Sequence, residues 1–368
     1  MEINSNSDNQ LHRFPQFKAV DAVRWIPSIS AFDRHVVAAM HDPSASTSSI
    51  DVHSFTTNPT PTLHLCSTWT APSRITSLSS PPHSAHASLF PIAVSTFAGS
   101  LHFLFLDPIE GVVQSEASVP MEKENGVRGF HDGTVSAVDL QVGGRECVTV
   151  GEDGRVNVVN IEQGGKVGWR RIDDSMGLVS YTAVKWGSPT EFATGSLGFG
   201  IQLWDQRKPT GLVSQFKGDW GQGTATGIVH SIDIHPSRKH ICVVGGSSGT
   251  VFAWDLRWQQ QPIMLSGIGV CESSYSPCES EVWEVQCDSH VQSGFISAPS
   301  TTILPTMMCS EDGILGVLRQ GEEPIEILAE NCAINSFAID PQNPSDIVCG
   351  LEWESIAILT RLRESMPM

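Results

Sequence analysis

The sequence predicts an all-β fold, a seven-bladed propeller closed into one ring. Three observations carry that prediction: a strand–turn–strand pattern recurring along 368 residues, an apolar stretch ahead of each copy, and a composition poor in helix formers. The pattern is explicit five times, as VSTFAGSLHFLFL (94–106), VGEDGRVNVV (150–159), TGSLGFGIQLWD (194–205), GGSSGTVFAWD (245–255) and CSEDGILGVL (309–318). Each copy joins two apolar runs through a small-residue turn, which is the signature of a hairpin. The turn glycines Gly99, Gly154, Gly198, Gly249 and Gly313 follow one another at intervals of 44 to 64 residues. That interval fits one four-stranded WD40 blade with loops of variable length. Fainter copies at 36–55 and 347–359 bring the number to seven.

Each copy follows another apolar stretch, at 22–26, 75–78, 135–140, 182–186, 228–234, 282–285 and 334–339. Alternations such as Val138/Leu140 and Ile232/Ile234 have the period of two that marks strands. Charged residues are 17% of the chain and hydrophobic residues 40%, with 32 Gly and 22 Pro, a profile that excludes helical solenoids and coiled coils. A ring left open would expose an unpaired strand edge. The last copy stops after three strands, so residues 11–17, apolar at Phe14 and Phe17, are expected to pair beside 355–361 and close it. The expected layout is a flexible tail at 1–10, one propeller over 11–363 and a short tail at 364–368. Ser/Thr/Pro-rich loop insertions are expected near 41–49, 267–280 and 288–304.

The net charge of −18 repels phosphate backbones and anionic lipid, so neither direct nucleic acid nor direct membrane contact is expected. The first ten residues lack a basic and an apolar region, and no apolar run approaches eighteen residues, so neither secretion nor insertion is expected. Nine cysteines without a CxxC pair read as reduced thiols of the cytosol or nucleus.

Gly245–Gly249 has the spelling of a G-x-S-x-G nucleophile elbow, but the strand that follows it takes the place of the required helix. Ser247 and Ser248 therefore read as turn residues. Cys271, Cys278, Cys287 and His290 lie at spacings that match no standard zinc site. Cys287 is expected to be a buried or idle thiol, and Cys271 and Cys278 exposed loop thiols. No Walker loop, dinucleotide fingerprint or HExxH occurs. No catalytic residue, metal or cofactor is expected, and the chain reads as a non-enzyme.

Two repeats end in Trp-Asp-x-Arg, at Trp204–Arg207 and Trp254–Arg257. Their indoles are expected to pack between blades and to donate to Ser196 and Ser247. His131 and Asp153 read as the same polar network in the third repeat, where Val159 replaces the Trp. Arg207 and Arg257 stand at the blade rim, free to pair with a local carboxylate or with a partner. The loop carrying Val291, Phe295 and Ile296 shares their face, which makes Arg207, Arg257 and Phe295 candidate partner contacts.

VTVGEDGRVNV (148–158), GIQLWDQR (200–207), HPSRKHICVVGGSSGTVFAWDLR (235–257), EVWEV (281–285), CSEDG (309–313) and IVCGLEWESIAILTR (347–361) together resemble the small WD40-repeat nucleoporin family of the Y-shaped outer-ring scaffold of the nuclear pore. The resemblance covers about three-fifths of the chain. It implies a non-enzymatic pore subunit at the nuclear envelope that binds other Y-complex nucleoporins, especially an α-solenoid scaffold nucleoporin, and supports mRNA export and protein import. The paired WDxR motifs also resemble those of substrate receptors that dock on a cullin-ligase adaptor, which is the alternative reading.

Overall fold

The structure is a computed structural model that describes residues 9–28, 34–57, 59–81, 89–119, 129–162, 165–198, 200–209, 211–217, 227–257, 263–266, 278–288, 290 and 303–361. It opens with β1 (Gln10–Pro15). Blade 1 follows as β2 (Ala19–Ile26), β3 (Arg34–Asp42), β4 (Thr47–Thr56) and β5 (Thr62–Ala71). Blade 2 is β6 (Ile75–Ser79), β7 (Phe90–Thr96), β8 (Leu101–Asp107) and β9 (Val112–Val119). Blade 3 is β10 (Val135–Leu140), β11 (Glu146–Gly151), β12 (Arg155–Ile161) and β13 (Val167–Asp174). Blade 4 is β14 (Tyr181–Trp186), β15 (Glu191–Ser196), β16 (Gly200–Asp205) and β17 (Leu212–Lys217). Blade 5 is β18 (Val229–Ile234), β19 (Ile241–Gly246), β20 (Val251–Asp255) and β21 (Ile263–Ser266). Blade 6 is β22 (Val282–Cys287), β23 (Thr306–Ser310), β24 (Ile314–Leu318) and β25 (Ile325–Ala329). Blade 7 takes β26 (Ile334–Ile339), β27 (Asp346–Leu351) and β28 (Ser355–Thr360), with β1 as its outer strand. All seven sheets are antiparallel and four-stranded, as the repeat pattern predicts.

Ring closure is as expected: β1 runs antiparallel to β28, Gln10 facing Thr360 and Pro15 facing Ser355. Phe14 packs edge-on to Phe55 of blade 1, with ring centroids 6.2 Å apart. Phe17 departs from the expectation. It lies past the strand, in the connection to β2, and is 84% exposed.

The five turn glycines all have positive φ, from 66° at Gly249 to 89° at Gly99, the conformation that only glycine adopts without steric cost. At Gly313 a Cβ would come within 2.2 Å of the Glu330 carbonyl oxygen, so a side chain is excluded by contact as well. Every inner strand carries a bulge at its start, for example between Val20/Ala22, Val135/Ala137 and Ile334/Ser336. The bulge sharpens local twist and recurs at the equivalent place in all seven blades.

The core lies between blades. One cluster joins Ile201 and Phe216 of blade 4 to Val229, Ile232 and Trp254 of blade 5, and another joins Ile356 and Ile358 of blade 7 to Val23 and Val36 of blade 1. The expected insertion at 41–49 is instead a hairpin end. His41, Asp42 and Thr47–Ser49 belong to strands, and only 43–46 turn. Asp42 accepts hydrogen bonds from the Ser44 and Ala45 N–H groups, and the serines pair in the ladder, Ser48 opposite His41 and Ser49 opposite Met40, both buried, on the two faces of the sheet. Residues 267–277 and most of 288–304 lie outside the described residues, as do Val291, Phe295, Ile296, Cys271 and the ends 1–8 and 362–368.

Candidate interaction surfaces of the ring

The inner strands β2, β6, β10, β14, β18, β22 and β26 surround a central cavity of about 420 Å3. Each is an edge strand of its sheet, so its outward N–H groups need acceptors from elsewhere. Side chains of the preceding blade supply them. Ser77 accepts from Val138 N–H and Ser79 from Leu140 N–H. Asp139 accepts from Trp186 N–H, and Ser231 and Asp233 from Val285 and Cys287 N–H. Glu284 and Gln286 accept from Phe337 and Ile339 N–H, and Ser336 from Val23 N–H. The carboxylates are occupied further. Glu284 pairs with Arg24 at 2.9 Å, and Asp139 lies 3.4 Å from Lys185, whose ammonium it pushes up in pKa. A charged channel lining therefore stitches blades together rather than presenting free groups.

Two arginines to which the sequence assigns no role act likewise. Arg34 of blade 1 reaches Asp340 and Asp346 of blade 7, each at 2.7 Å, while stacking 4.6 Å above Trp25. Arg361, after the last strand, grips the fully buried Asp288 through two bonds of 2.6 and 3.0 Å and donates to the Pro344 carbonyl. Arg361 closes the segment IVCGLEWESIAILTR, but nothing in that segment names its partner, and Arg34 lies in none of the motifs. The available signal was an unmatched Asp placed directly after the inner strand of blade 6.

The Trp204 indole donates to Thr194 Oγ1 at 3.0 Å rather than to Ser196. Ser196 instead donates to the carbonyls of Leu197 and Gly200, because Thr194 faces the third strand directly while Ser196 ends its own. In blade 5 the place of Thr194 is taken by Val244, and the expected partner of Trp254, Ser247, accepts from Ile228 N–H at 3.0 Å. His131 lies 3.1 Å from Asp153 through Nδ1 and 3.0 Å from Thr149 through Nε2. Burial pushes the Asp153 carboxyl up in pKa, but the hydrogen bonds from His131 and from the Asp132 and Arg155 N–H groups hold it below the usual carboxylate value.

Arg207 clasps Asp205 with two bonds of 2.9 Å, and Arg257 clasps Asp255 with bonds of 3.0 and 2.6 Å. The Arg207 bonds take the Asp205 carboxyl down to about 2. Each guanidinium is thus chelated by the aspartate two residues earlier. Cys278, expected to be exposed, is buried against Val282 and Ile303, and burial pushes its thiol up to about 12. Cys287 is half-buried at the cavity wall. Among the described residues no three His, Cys, Asp or Glu side chains are grouped to hold a metal ion.

No family model matches the chain. Comparison with individual proteins is decisive: it is 55% identical over 361 residues to the nuclear pore complex protein NUP43 of Arabidopsis thaliana, a match covering 96% of this chain and 98% of that protein. The chain belongs to the Nup43 family of nucleoporins. The human nucleoporin Nup43 is 29% identical over 140 residues, 38% of this chain and 33% of the human protein. As a Nup43-family member the chain is a structural protein of the nuclear pore complex at the nuclear envelope, and it is not an enzyme.

Proposed function

We propose that this Nup43-family propeller is a scaffold subunit of the Y-shaped outer-ring subcomplex, held beside an α-solenoid nucleoporin and so supporting mRNA export and protein import. The observation that carries this reading is the identity to a named pore protein along the entire ring. The motifs at 148–158, 281–285 and 347–361 agree with it. The ring from residue 11 to 363 acts as one binding platform. His131, Asp153, Trp204 and Trp254 keep its blades in shape, and Arg207, Arg257 and Phe295 are secondary contact candidates. The alternative, a cullin-ligase receptor, draws on the WDxR arginines, and their chelation by Asp205 and Asp255 weakens its support. Affinity purification of the tagged full chain tests the proposal. Stoichiometric recovery of an α-solenoid subunit with other Y-complex members is expected, and recovery of a cullin adaptor in their place would overturn it.

A further inference from the structure

The two faces of the disc differ. One carries the turns between second and third strands and the connections between blades. On this turn face stand Phe17, Phe97, Met176, Leu178, Leu197 and Trp353, with Leu178 90% and Trp353 66% exposed. The opposite face exposes fewer large apolar side chains among the described residues, Ile109 and Val142 being the chief ones. Phe17 and Trp353 are brought together by the ring closure itself, because Gln16 N–H donates to the Glu354 carbonyl at 2.7 Å. The chain thus places two bare aromatic residues where its own two ends meet.

Charge around them is one-sided. Trp353 lies between the exposed Glu352 and Glu354, and the neighbouring turn of blade 6 presents Glu311 and Asp312, also exposed. The cations of this quarter are already engaged: Arg13 with Glu330 at 2.7 Å, Lys18 with Asp51 at 3.3 Å and Arg74 with Asp21 at 2.8 Å. Glu311, Glu352 and Glu354 have no ion-pair partner among the described residues. Apolar anchors rimmed by uncompensated charge of one sign mark a docking surface for a segment of the opposite sign. Exposed Trp faces also attract guanidinium and ammonium groups.

We propose that this quarter of the turn face, centred on Phe17 and Trp353, docks a Lys/Arg-rich segment of a neighbouring pore protein. Apolar side chains of the segment cover the two aromatic residues, and its cations meet Glu311, Glu352 and Glu354. The proposal needs only residence in the pore, which family membership establishes, and not the Y-shaped subcomplex, so the two readings fail separately.

The test replaces Phe17 or Trp353, and Val142 as the opposite-face control, by photo-crosslinking benzoylphenylalanine in the full chain within isolated nuclear envelopes. Adducts from positions 17 and 353 are expected to map to Lys/Arg-rich peptides of a pore protein. The double substitution Glu352→Lys with Glu354→Lys should cut the adduct at position 17 tenfold or more with an unchanged melting temperature. No adduct, adducts on acidic or uncharged peptides, adducts from position 142 alone, or a yield indifferent to the charge reversal would overturn the proposal.

Discussion

The seam between blades 7 and 1 and the seam between blades 4 and 5 hold the same geometry with different materials. At the first, Arg34 bridges to Asp340 and Asp346, Trp25 donates to the Ala338 carbonyl at 3.1 Å, and Asn335 donates to the Val20 carbonyl at 3.1 Å. At the second, Ala183 and Lys185 occupy positions where other inner strands carry acceptors, and Ile201, Phe216, Val229 and Trp254 fill the space, Phe216 lying 4.7 Å from Trp254. The directional bonds here are few: Thr182 donates to the Val229 carbonyl at 2.6 Å, and on the turn face Gly198 N–H donates to the Gly227 carbonyl at 2.6 Å. Apolar packing is non-directional and suffices between blades built from one stretch of chain. Where the two ends of the chain meet, blade 1 must find blade 7 among many possible surfaces, and the directional bonds of Arg34, Trp25 and Asn335 select that docking.

Removing the closing strand should have the largest effect. Deleting residues 1–15 takes away the six-residue ladder with β28 and the Phe14 contact on Phe55. The melting temperature should fall by about 10 °C or more, since each kcal/mol moves a domain of this size by a few degrees. A truncated chain that melts with the full one would show that closure lies elsewhere and break the comparison.

Next in size is Asp288→Ala. It strands the buried Arg361 guanidinium without its carboxylate and should cost about 3–5 kcal/mol in urea unfolding. Arg361→Met in the same chain should restore most of that loss, because the isolated charge and not the missing bond is the main cost. Thr182→Val, at the apolar seam, should cost only about 1 kcal/mol. Equal losses at Thr182 and at Asp288, whose bond to Arg361 ties blade 6 to the closing blade 7, would erase the distinction between apolar and directional seams.

Acid should discriminate between them as well. His235, at the end of the inner strand of blade 5, accepts N–H bonds from Ser237 and Arg238 on Nδ1. Burial, and secondarily the Arg238 charge, hold its pKa down to about 4, against about 6.5 unfolded. The unfolded chain therefore binds the extra proton first. This contribution is intact above about pH 6.5 and is lost as pH falls toward 4. The hydrogen-exchange protection factor at the Ile241 amide, bonded to the Arg238 carbonyl, should fall over that interval before that at Ile358 does. Simultaneous loss, or an acid response unchanged in His235→Asn, would remove His235 from the account.

The periodic features of the ring were legible and the long-range ones were not. The bounds 135–140 and 334–339 match β10 and β26 residue for residue, because alternation and turn glycines are local properties. Thr194 was passed over for Ser196 although both lie on one face of β15, because the choice depends on register: Phe192 stands opposite Trp204, which puts Thr194 on the adjacent diagonal and Ser196 two residues farther away. Arg34–Asp346 and Arg361–Asp288 join residues far apart in sequence, so no window of sequence contains both partners. Cys278 was misplaced for a related reason: a loop-like local sequence says nothing of the Val282 and Ile303 side chains that cover it.

The smallest effect should come from the residues that drew most notice in the sequence. Arg207 and Arg257 have the same chemistry as Arg34 and Arg361, yet each holds an aspartate two positions away on its own strand end and reaches no neighbouring blade through that bond. Arg34 and Arg361 are shielded from water and cross a seam, whereas Arg207 and Arg257 are mostly exposed, where solvent screens the pair and the side chains give up conformational freedom to form it. Arg207→Ala with Arg257→Ala should therefore shift the melting temperature by no more than about 2 °C, against the large loss expected at Asp288. Recovery of pore partners should also be undiminished if the acidic turn face is the docking surface. A fall of many degrees would mean that these clasps brace the blades as the buried pairs do. A stable ring that loses its partners would move the docking site to the opposite face.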